Sequence, residues 1–338
     1  MNSYSDFKLF SHPWKIEKIK KVYSREIPFD DSPPISIEIH LTNLCNLNCY
    51  WCAEKNYRMD NTTLNYNIIE RIFDDIQGTS IGVTLDGGGE PTLHPNFSDI
   101  INCAKKNQVP LGLITNGIID VSEHTTDFNW IRVSLDASNS KQFYEQKKVN
   151  RYNSVIDNIT RLCKYKSHTN IGVSYALSKN NIEGIYDIIL QLDEIGVDYI
   201  YIRPIEQQPI IDLGTNDWYR ITKMIGKLEN KVSINIILNN KYRTEGNNNN
   251  LVCLAHSLVT IIRSDGSMYL CEKRFHDPIV YGNIKDGKFF AHWYGAKRKQ
   301  ATKRLLMNHN QTGCGVCRLT KYNNMFVSAF EAKDYNFI

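Results

Sequence analysis

The sequence has no apolar run of membrane-spanning length, and its first residues, Met1–Trp14, lack the apolar centre of a secretion signal. Neither a spanning helix nor an exported scaffold built on disulfides is expected. Charge of one sign is scarce too: 40 Lys and Arg stand against 36 Asp and Glu, a net +4. That gives no footing for nucleic-acid binding through bulk electrostatics. Hydrophobic content of 42% and charged content of 22% are ordinary for a globular chain, and 338 residues suffice for one large domain and a small one. Cysteine is well represented, with nine residues. Without a secretion signal these read as metal ligands more readily than as disulfides, and the expected setting is the reducing cytoplasm. No nucleic-acid or membrane partner is expected.

Three of the cysteines form the stretch Cys45-Asn46-Leu47-Asn48-Cys49-Tyr50-Trp51-Cys52, directly after the apolar run Ile35–Leu41. A loop with this spacing can turn three thiolates onto one soft metal centre. A [4Fe–4S] cube normally takes four cysteines, so three local ones leave one iron open to a ligand from outside the protein. The competing reading is a structural zinc knuckle, with His40 as a fourth ligand. Zinc, however, prefers a closed set of four, usually from two paired knuckles.

The cysteine loop, with Trp51 before its last cysteine and Thr42-Asn43 before its first, resembles the signature of the radical S-adenosylmethionine (SAM) enzymes. In that family the open iron is chelated by SAM's amino and carboxylate groups. One electron then cleaves SAM, and a 5′-deoxyadenosyl radical takes a hydrogen atom from substrate. The cofactor carries the hard chemistry while the protein positions it and excludes water.

From Ile35 onward, strand-like apolar runs alternate with runs of helical period. The expected strands are Ile35–Leu41, Ser80–Leu85, Pro110–Thr115, Trp130–Leu135, Asn170–Ala176 and Asp198–Arg203. Between them, sets such as Ile68, Ile69, Ile72, Phe73, Ile76 give one buried face at a period of 3.6. Such alternation implies an α/β fold of parallel strands joined by right-handed crossovers. Six units match the partial (β/α)6 TIM-like barrel of the resembled family; a doubly wound open sheet gives the same pattern. The expected organisation is an N-terminal preamble (1–34), the barrel (35–205), a connecting helix and loop (206–250), and a small cysteine-rich iron–sulfur domain (251–338). The preamble carries a short helix over His12–Tyr23, with its lysines on a solvated face.

In parallel β/α architectures the chemistry gathers where the loops leave the strands' C-terminal ends. After the second expected strand comes Asp86-Gly87-Gly88-Gly89-Glu90-Pro91, which resembles the family's Gly-Gly-Glu-Pro motif. That resemblance implies that Gly88, Gly89 and Glu90 hold SAM's ammonium, since glycines admit close backbone approach and a carboxylate accepts from an amine. Alone, the motif would equally be a glycine-rich turn before a helix opened by Pro91. Asn116, Ser134 and Asp136 resemble positions lining the SAM pocket, and Ser134 and Asp136 are candidates for its ribose hydroxyls or for substrate. An ordinary strand-to-turn transition explains the latter pair as well. Arg203 is placed to grip SAM's carboxylate or a substrate anion, or else to form a rim salt bridge. Asp136, Arg203 and Glu206 are the candidates for direct catalytic contact. Asn181 reads as a helix N-cap, and Cys103 and Cys163 as packing residues.

A second cysteine set follows: Cys253, then Cys271 after the turn Ser264-Asp265-Gly266, then Cys314 and Cys317. The Cys-x12-Gly-x4-Cys segment resembles the start of the SPASM extension of many radical SAM enzymes. No cysteine follows Cys317, so the set resembles the shortened twitch version, which implies one auxiliary [4Fe–4S] cluster and a domain closing over the barrel mouth. Four cysteines in two groups would also make a closed zinc site. The expectation is a radical SAM oxidoreductase or maturase that modifies a ribosomal peptide or protein, with an electron donor such as flavodoxin or ferredoxin. The alternatives are dehydrogenation or epimerisation of a small molecule such as an aminocyclitol or sugar, and a non-catalytic iron–sulfur protein. Thirty-four residues before the barrel are too few for a leader-binding domain, which weakens the peptide reading.

Overall fold

The computed structural model describes residues 7–55, 58, 60–205, 213–228, 230–239, 253–271, 279–308 and 319–331. Among them, strands β1 (Ser36–His40), β2 (Gly82–Asp86), β3 (Leu111–Thr115), β4 (Trp130–Ser134), β5 (Asn170–Leu177), β6 (Tyr199–Pro204), β7 (Asn235–Leu238), β8 (Val259–Ile262), β9 (Ser267–Tyr269) and β10 (Val280–Asn283) form one sheet. The helices are α1 (Pro13–Tyr23), α2 (Tyr66–Ile76), α3 (Phe97–Lys106), α4 (Ser140–Lys147), α5 (Tyr152–Tyr165), α6 (Ile185–Ile195), α7 (Thr215–Gly226), α8 (Phe289–Trp293), α9 (Ala296–Asn308) and α10 (Thr320–Glu331).

The sheet order is β10-β9-β8-β1-β2-β3-β4-β5-β6-β7. All pairs from β8 through β1 to β7 are parallel, and β8–β9 and β9–β10 are antiparallel. This order separates the two architectures that periodicity left open. A doubly wound sheet reverses its strand order and carries helices on both faces. From β1 to β7 the order never reverses, so successive right-handed crossovers stack their helices on one face, as in a barrel. The six expected strands are β1–β6. The stretch 206–250, expected to be only a helix and loop, also contributes β7, which lengthens the barrel sheet. Four half-buried residues are too short a run for alternation to announce. β8, from the stretch expected as a separate domain, pairs with β1 in the same sheet.

Strand alternation divides the sheet into two unlike faces. Ile37, Ile39, Val83, Leu85, Ile131, Val133, Ile171, Val173, Ile200 and Ile202 are buried against the helices, with Ile69, Ile72, Phe73 and Ile76 of α2 supplying one matching stripe. Burying each such side chain contributes about 1.5–3 kcal/mol. The opposite, inner face carries Glu38, His40, Thr84, Asp86, Trp130, Arg132, Ser134, Tyr199, Tyr201 and Arg203, most of them half-buried. That face is lined with polar and aromatic groups instead of being filled by aliphatic layers.

The preamble is integral to the fold. Ile19 of α1 packs with Leu9, Leu254, Leu258, Phe326 and Val327, joining the two ends of the chain. Lys15 was expected on a solvated face, but it is fully buried and donates to Asp30 Oδ2 at 2.7 Å and Ser32 Oγ at 3.0 Å. A lysine cannot announce burial from sequence when its carboxylate partner lies outside its own helix. The same segment accepts the Trp293 indole N–H at Ser32 O, 2.8 Å.

Removing one member of a buried pair strands the other charge, which costs about 3–5 kcal/mol. Lys15→Met is therefore expected to lower urea-unfolding stability by about that amount, whereas Lys18→Met, whose pair with Asp31 is exposed, should change it by less than about 1 kcal/mol.

Candidate active site

The cysteine loop leaves the C-terminal end of β1 and is held from several sides. Leu47 is buried beneath it. Gly89 N donates to Thr42 O at 2.9 Å and Glu90 N to Leu44 O at 2.7 Å, so the glycine loop after β2 pairs with the entry to the cysteine loop. A Cβ on Gly89 would lie 2.0 Å from Leu44 O, and one on Gly88 would lie 2.8 Å from Asn43 Oδ1. Gly89 is thus required by backbone contact. Asn116, at the end of β3, donates to Asn46 Oδ1 at 2.7 Å, and Asn48 N reaches Lys147 O at 3.4 Å. From the other side Ser264 donates to Asn43 Oδ1 at 2.8 Å, and Arg263 pairs with Glu54 at 3.4 Å.

Glu90, expected to meet SAM's ammonium, also bonds within the chain. It is buried, and both oxygens are engaged by the chain: Oε1 accepts from Thr92 N, Thr92 Oγ1 and Thr115 Oγ1 (3.2, 2.8 and 2.6 Å), Oε2 from Asn116 N (2.7 Å). Burial pushes its carboxyl above the ordinary range, against the pull of these four donors. The side chain ties the β2 loop to the end of β3, and through Asn116 to the cysteine loop. It acts as a brace for the site.

Asp136 is likewise internal. Its backbone is left-handed (φ 58°), one oxygen pairs with the Lys147 ammonium, and the other accepts from Ala176 N at 2.6 Å. Asn181 caps no helix; it donates to Asp136 O at 2.9 Å and to Ala176 O at 2.8 Å, locking the ends of β4 and β5 together. Lys147, which sequence reasoning did not single out, stands beside the cysteine loop. It is buried at the last turn of α4, 5.0 Å from the centre of the Trp51 ring, and within electrostatic reach of Cys49 and Cys45. Burial works against its charge, but Asp136 and Cys49 outweigh it and raise its pKa. Burial in turn pushes the Cys45 thiol up and the Cys49 thiol to about 11, Lys147 opposing the latter. Arg58 Nη2 lies 3.6 Å from Cys52 Sγ.

A cavity of about 180 Å³ opens on the inner face, lined by Glu38, His40, Ala53, Glu54, Asp86, Gly87, Arg203, Ile261, Arg263 and Tyr269. It runs from the cysteine loop to the β8–β9 hairpin, and Arg203 forms part of its wall. Ser134, on the same face, accepts from Ser174 Oγ at 3.2 Å. The hairpin turns at Gly266 (φ 87°) as expected, and its turn, not its cysteines, meets the cysteine loop. Cys253 precedes β8; Cys271, two residues past Tyr269, is level by register with the first residue of β8, itself opposite Ser36. Both therefore lie at the N-terminal end of the parallel sheet, whose edge the hairpin extends. Glu206, Cys314 and Cys317 lie outside the described residues. Cys103 is buried and Cys163 half-buried, on α3 and α5.

Residues 39–192 match the family model of the radical SAM superfamily. Those residues form a radical SAM domain. The chain is 22% identical over 313 residues to the tungsten-containing aldehyde ferredoxin oxidoreductase cofactor-modifying protein of Pyrococcus furiosus, covering 83% of this chain and 86% of that protein. It is 22% identical over 303 residues to the mycofactocin maturase MftC of Mycobacterium tuberculosis, covering 84% and 75%. Its fold is similar to Streptococcus suis SuiB bound to the precursor peptide SuiA, with a TM-score of 0.64, 15% identity, and 83% and 68% coverage. A radical SAM domain implies a [4Fe–4S] cluster and SAM, and the cysteine loop suits such a cluster. Its three cysteines are half-buried, Cys45 and Cys49 feel the charge of the neighbouring thiols, and Lys147 and the Arg58 N–H stand beside them to offset thiolate charge. Among the described residues no three His, Cys, Asp or Glu side chains gather as one single metal ion requires. No described helix is long and apolar enough to cross a membrane.

Gly89→Ala is expected to force the cysteine loop away from the β2 loop while leaving the outer core intact. Far-ultraviolet circular dichroism should match the parent, and iron bound at the cysteine loop after anaerobic reconstitution should fall well below it.

Proposed function

We propose that the chain reductively cleaves SAM and takes a hydrogen atom from a peptide or protein substrate seated in the barrel interior. The observation that carries this reading is the three-cysteine loop, clamped by the Gly-Gly-Glu-Pro turn at the edge of a charged cavity. Cys45, Cys49 and Cys52 would hold the cluster, with SAM at its open iron. Bound there, the pair supplies a hydrogen-abstracting radical after one-electron reduction by a donor such as flavodoxin or ferredoxin. The chain's own residues set the stage. Asn116 and Glu90 fix the loop, and Lys147 and Arg58 offset its negative charge. The walls of the cavity limit water around whatever is bound. Arg203 and Gly87 line that cavity and are placed to meet SAM or substrate.

The peptide reading is supported by the named activities of MftC as a maturase and of SuiB as the partner of a precursor peptide. A cavity of about 180 Å³ has the volume of about six waters, which suits one inserted side chain. The same size and its mixed charges also suit a sugar or aminocyclitol, the second reading. We further infer that Cys253, Cys271, Cys314 and Cys317 hold one auxiliary [4Fe–4S] cluster. Cys253 and Cys271 lie at the opposite end of the sheet from the cysteine loop.

Anaerobic reconstitution should yield about eight irons per chain, and changing Cys45, Cys49 and Cys52 together to Ala should leave about four. With dithionite the parent should convert SAM to 5′-deoxyadenosine and the triple variant should not. Zinc in the remaining site would overturn the auxiliary cluster. A fully loaded parent that leaves SAM intact would point to a non-catalytic iron–sulfur protein.

A further inference from the structure

The barrel interior holds a guanidinium that no described residue neutralises. Arg132 is the middle residue of β4 and is half-buried on the inner face, since its neighbours Ile131 and Val133 are buried against the helices. Among the described residues no carboxylate stands within ion-pair distance of it and no acceptor takes its N–H groups. Its close contacts are two aromatic rings, Trp130 at 5.6 Å and Tyr201 at 5.5 Å. Tyr201 belongs to β6, two strands away, and Arg132 reaches it because β5 between them presents Gly172 and Ser174, residues too small to intervene.

Both rings are themselves fixed. Trp130 lies over Gly112, where a Cβ would come within 2.2 Å of the indole, and the Tyr201 hydroxyl accepts from Asn239 Nδ2 at 2.7 Å. Ring contacts occupy the faces of a guanidinium and leave its edges, where the N–H groups lie, for a ligand. Positive charge also accumulates nearby. Desolvation, then the like charges of Arg132 and Lys321, push the ammonium of exposed Lys8 below its ordinary range. The row of cross-strand partners Glu38, Thr84, Gly112, Trp130 joins this cradle to the cavity, of which Glu38 is a wall.

We propose that Arg132 is the anchor for a carboxylate of the substrate, held bidentately on the guanidinium edge. A planar fork, oriented in advance by two rings, matches a planar carboxylate and loses little freedom on binding it. In a peptide the carboxylate comes from an acidic side chain or from the C-terminus. The inference rests on the reading of the barrel interior as the substrate's place, and it adds a sign and a chemical class to that substrate.

The test uses the full, cluster-reconstituted chain with 15N-labelled tryptophan, following the Trp130 indole resonance, assigned with Trp130→Phe. N-acetylglutamate α-amide supplies a side-chain carboxylate, N-acetylalanine a terminal one, and N-acetylglutamine α-amide a neutral control. At least one carboxylate should shift the resonance saturably and the neutral probe should not; the one that binds more tightly identifies the source. Arg132→Met should weaken that binding about tenfold to a hundredfold, the loss expected for charge-assisted hydrogen bonds. Arg161→Gln, which removes an exposed cation paired with Asp120, should leave it unchanged. Should Arg132→Met fail to fold, Arg132→Lys keeps the charge but loses the fork, and it should still bind clearly more weakly than the parent. Equal binding by the neutral probe, by either folded Arg132 variant, or tighter binding of inorganic phosphate would overturn the proposal, as would no response to either carboxylate. SAM cleavage by the same preparation, measured without any probe, reports separately on the proposed function.

Discussion

The structure turns on a contact between two backbones. Thr42–Leu44, entering the cysteine loop, and Gly89–Glu90, leaving β2, approach closely enough for Gly89 N and Glu90 N to donate to Thr42 O and Leu44 O, and Leu44 O occupies the space where a side chain on Gly89 would begin. Everything placed at the C-terminal end of the sheet depends on that approach. It orients the three thiols, and it draws Glu90 inward, where Thr92, Thr115 and Asn116 consume its oxygens. Asn116 passes the constraint on to Asn46, closing the circuit from β2 to β3 and back to the cysteine loop. A carboxylate buried at such cost is tolerable only because each oxygen is met by donors.

The second organising fact is the contrast between the two faces of the sheet. The outer face is aliphatic and sealed by helices; the inner face carries charge and aromatic rings around a cavity. A packed interior would have made the barrel more stable. Leaving it polar keeps room for ligands, and the stability is recovered from the outer core and from the ends of the chain, where Ile19 packs with Leu254 and Phe326 and the Trp293 indole donates to Ser32 O. The hairpin β8–β9 then joins the sheet beside β1, placing Arg263 and Tyr269 on the cavity wall and Cys253 and Cys271 at its opposite end.

Several residues chosen from sequence for cofactor contact also hold the site in shape. Glu90, Asp136 and Asn116 each lie in the expected neighbourhood, yet their side chains bond to other parts of the chain. A motif locates a loop; it does not say whether a polar atom faces the ligand or the scaffold. Lys147 shows the converse. Nothing in Gln146-Lys147-Lys148 distinguishes the one lysine that points inward, because its partners Asp136 and Trp51 come from other loops.

By itself the sequence determined the six strands of the barrel, their parallel sense, the cysteine loop at the end of the first and the hairpin before Cys271. These follow from local signals: period, glycine punctuation and the spacing of thiols along a short loop. Only the tertiary structure decided the winding direction of the sheet, the addition of β7 and β8, the inward turn of Glu90 and Asp136, and the pairing of Lys15 and Lys147 with carboxylates outside their own helices. Each of these depends on which strands become neighbours. Burial and charge partnership are properties of residues brought together across long stretches of chain, and no local pattern records them.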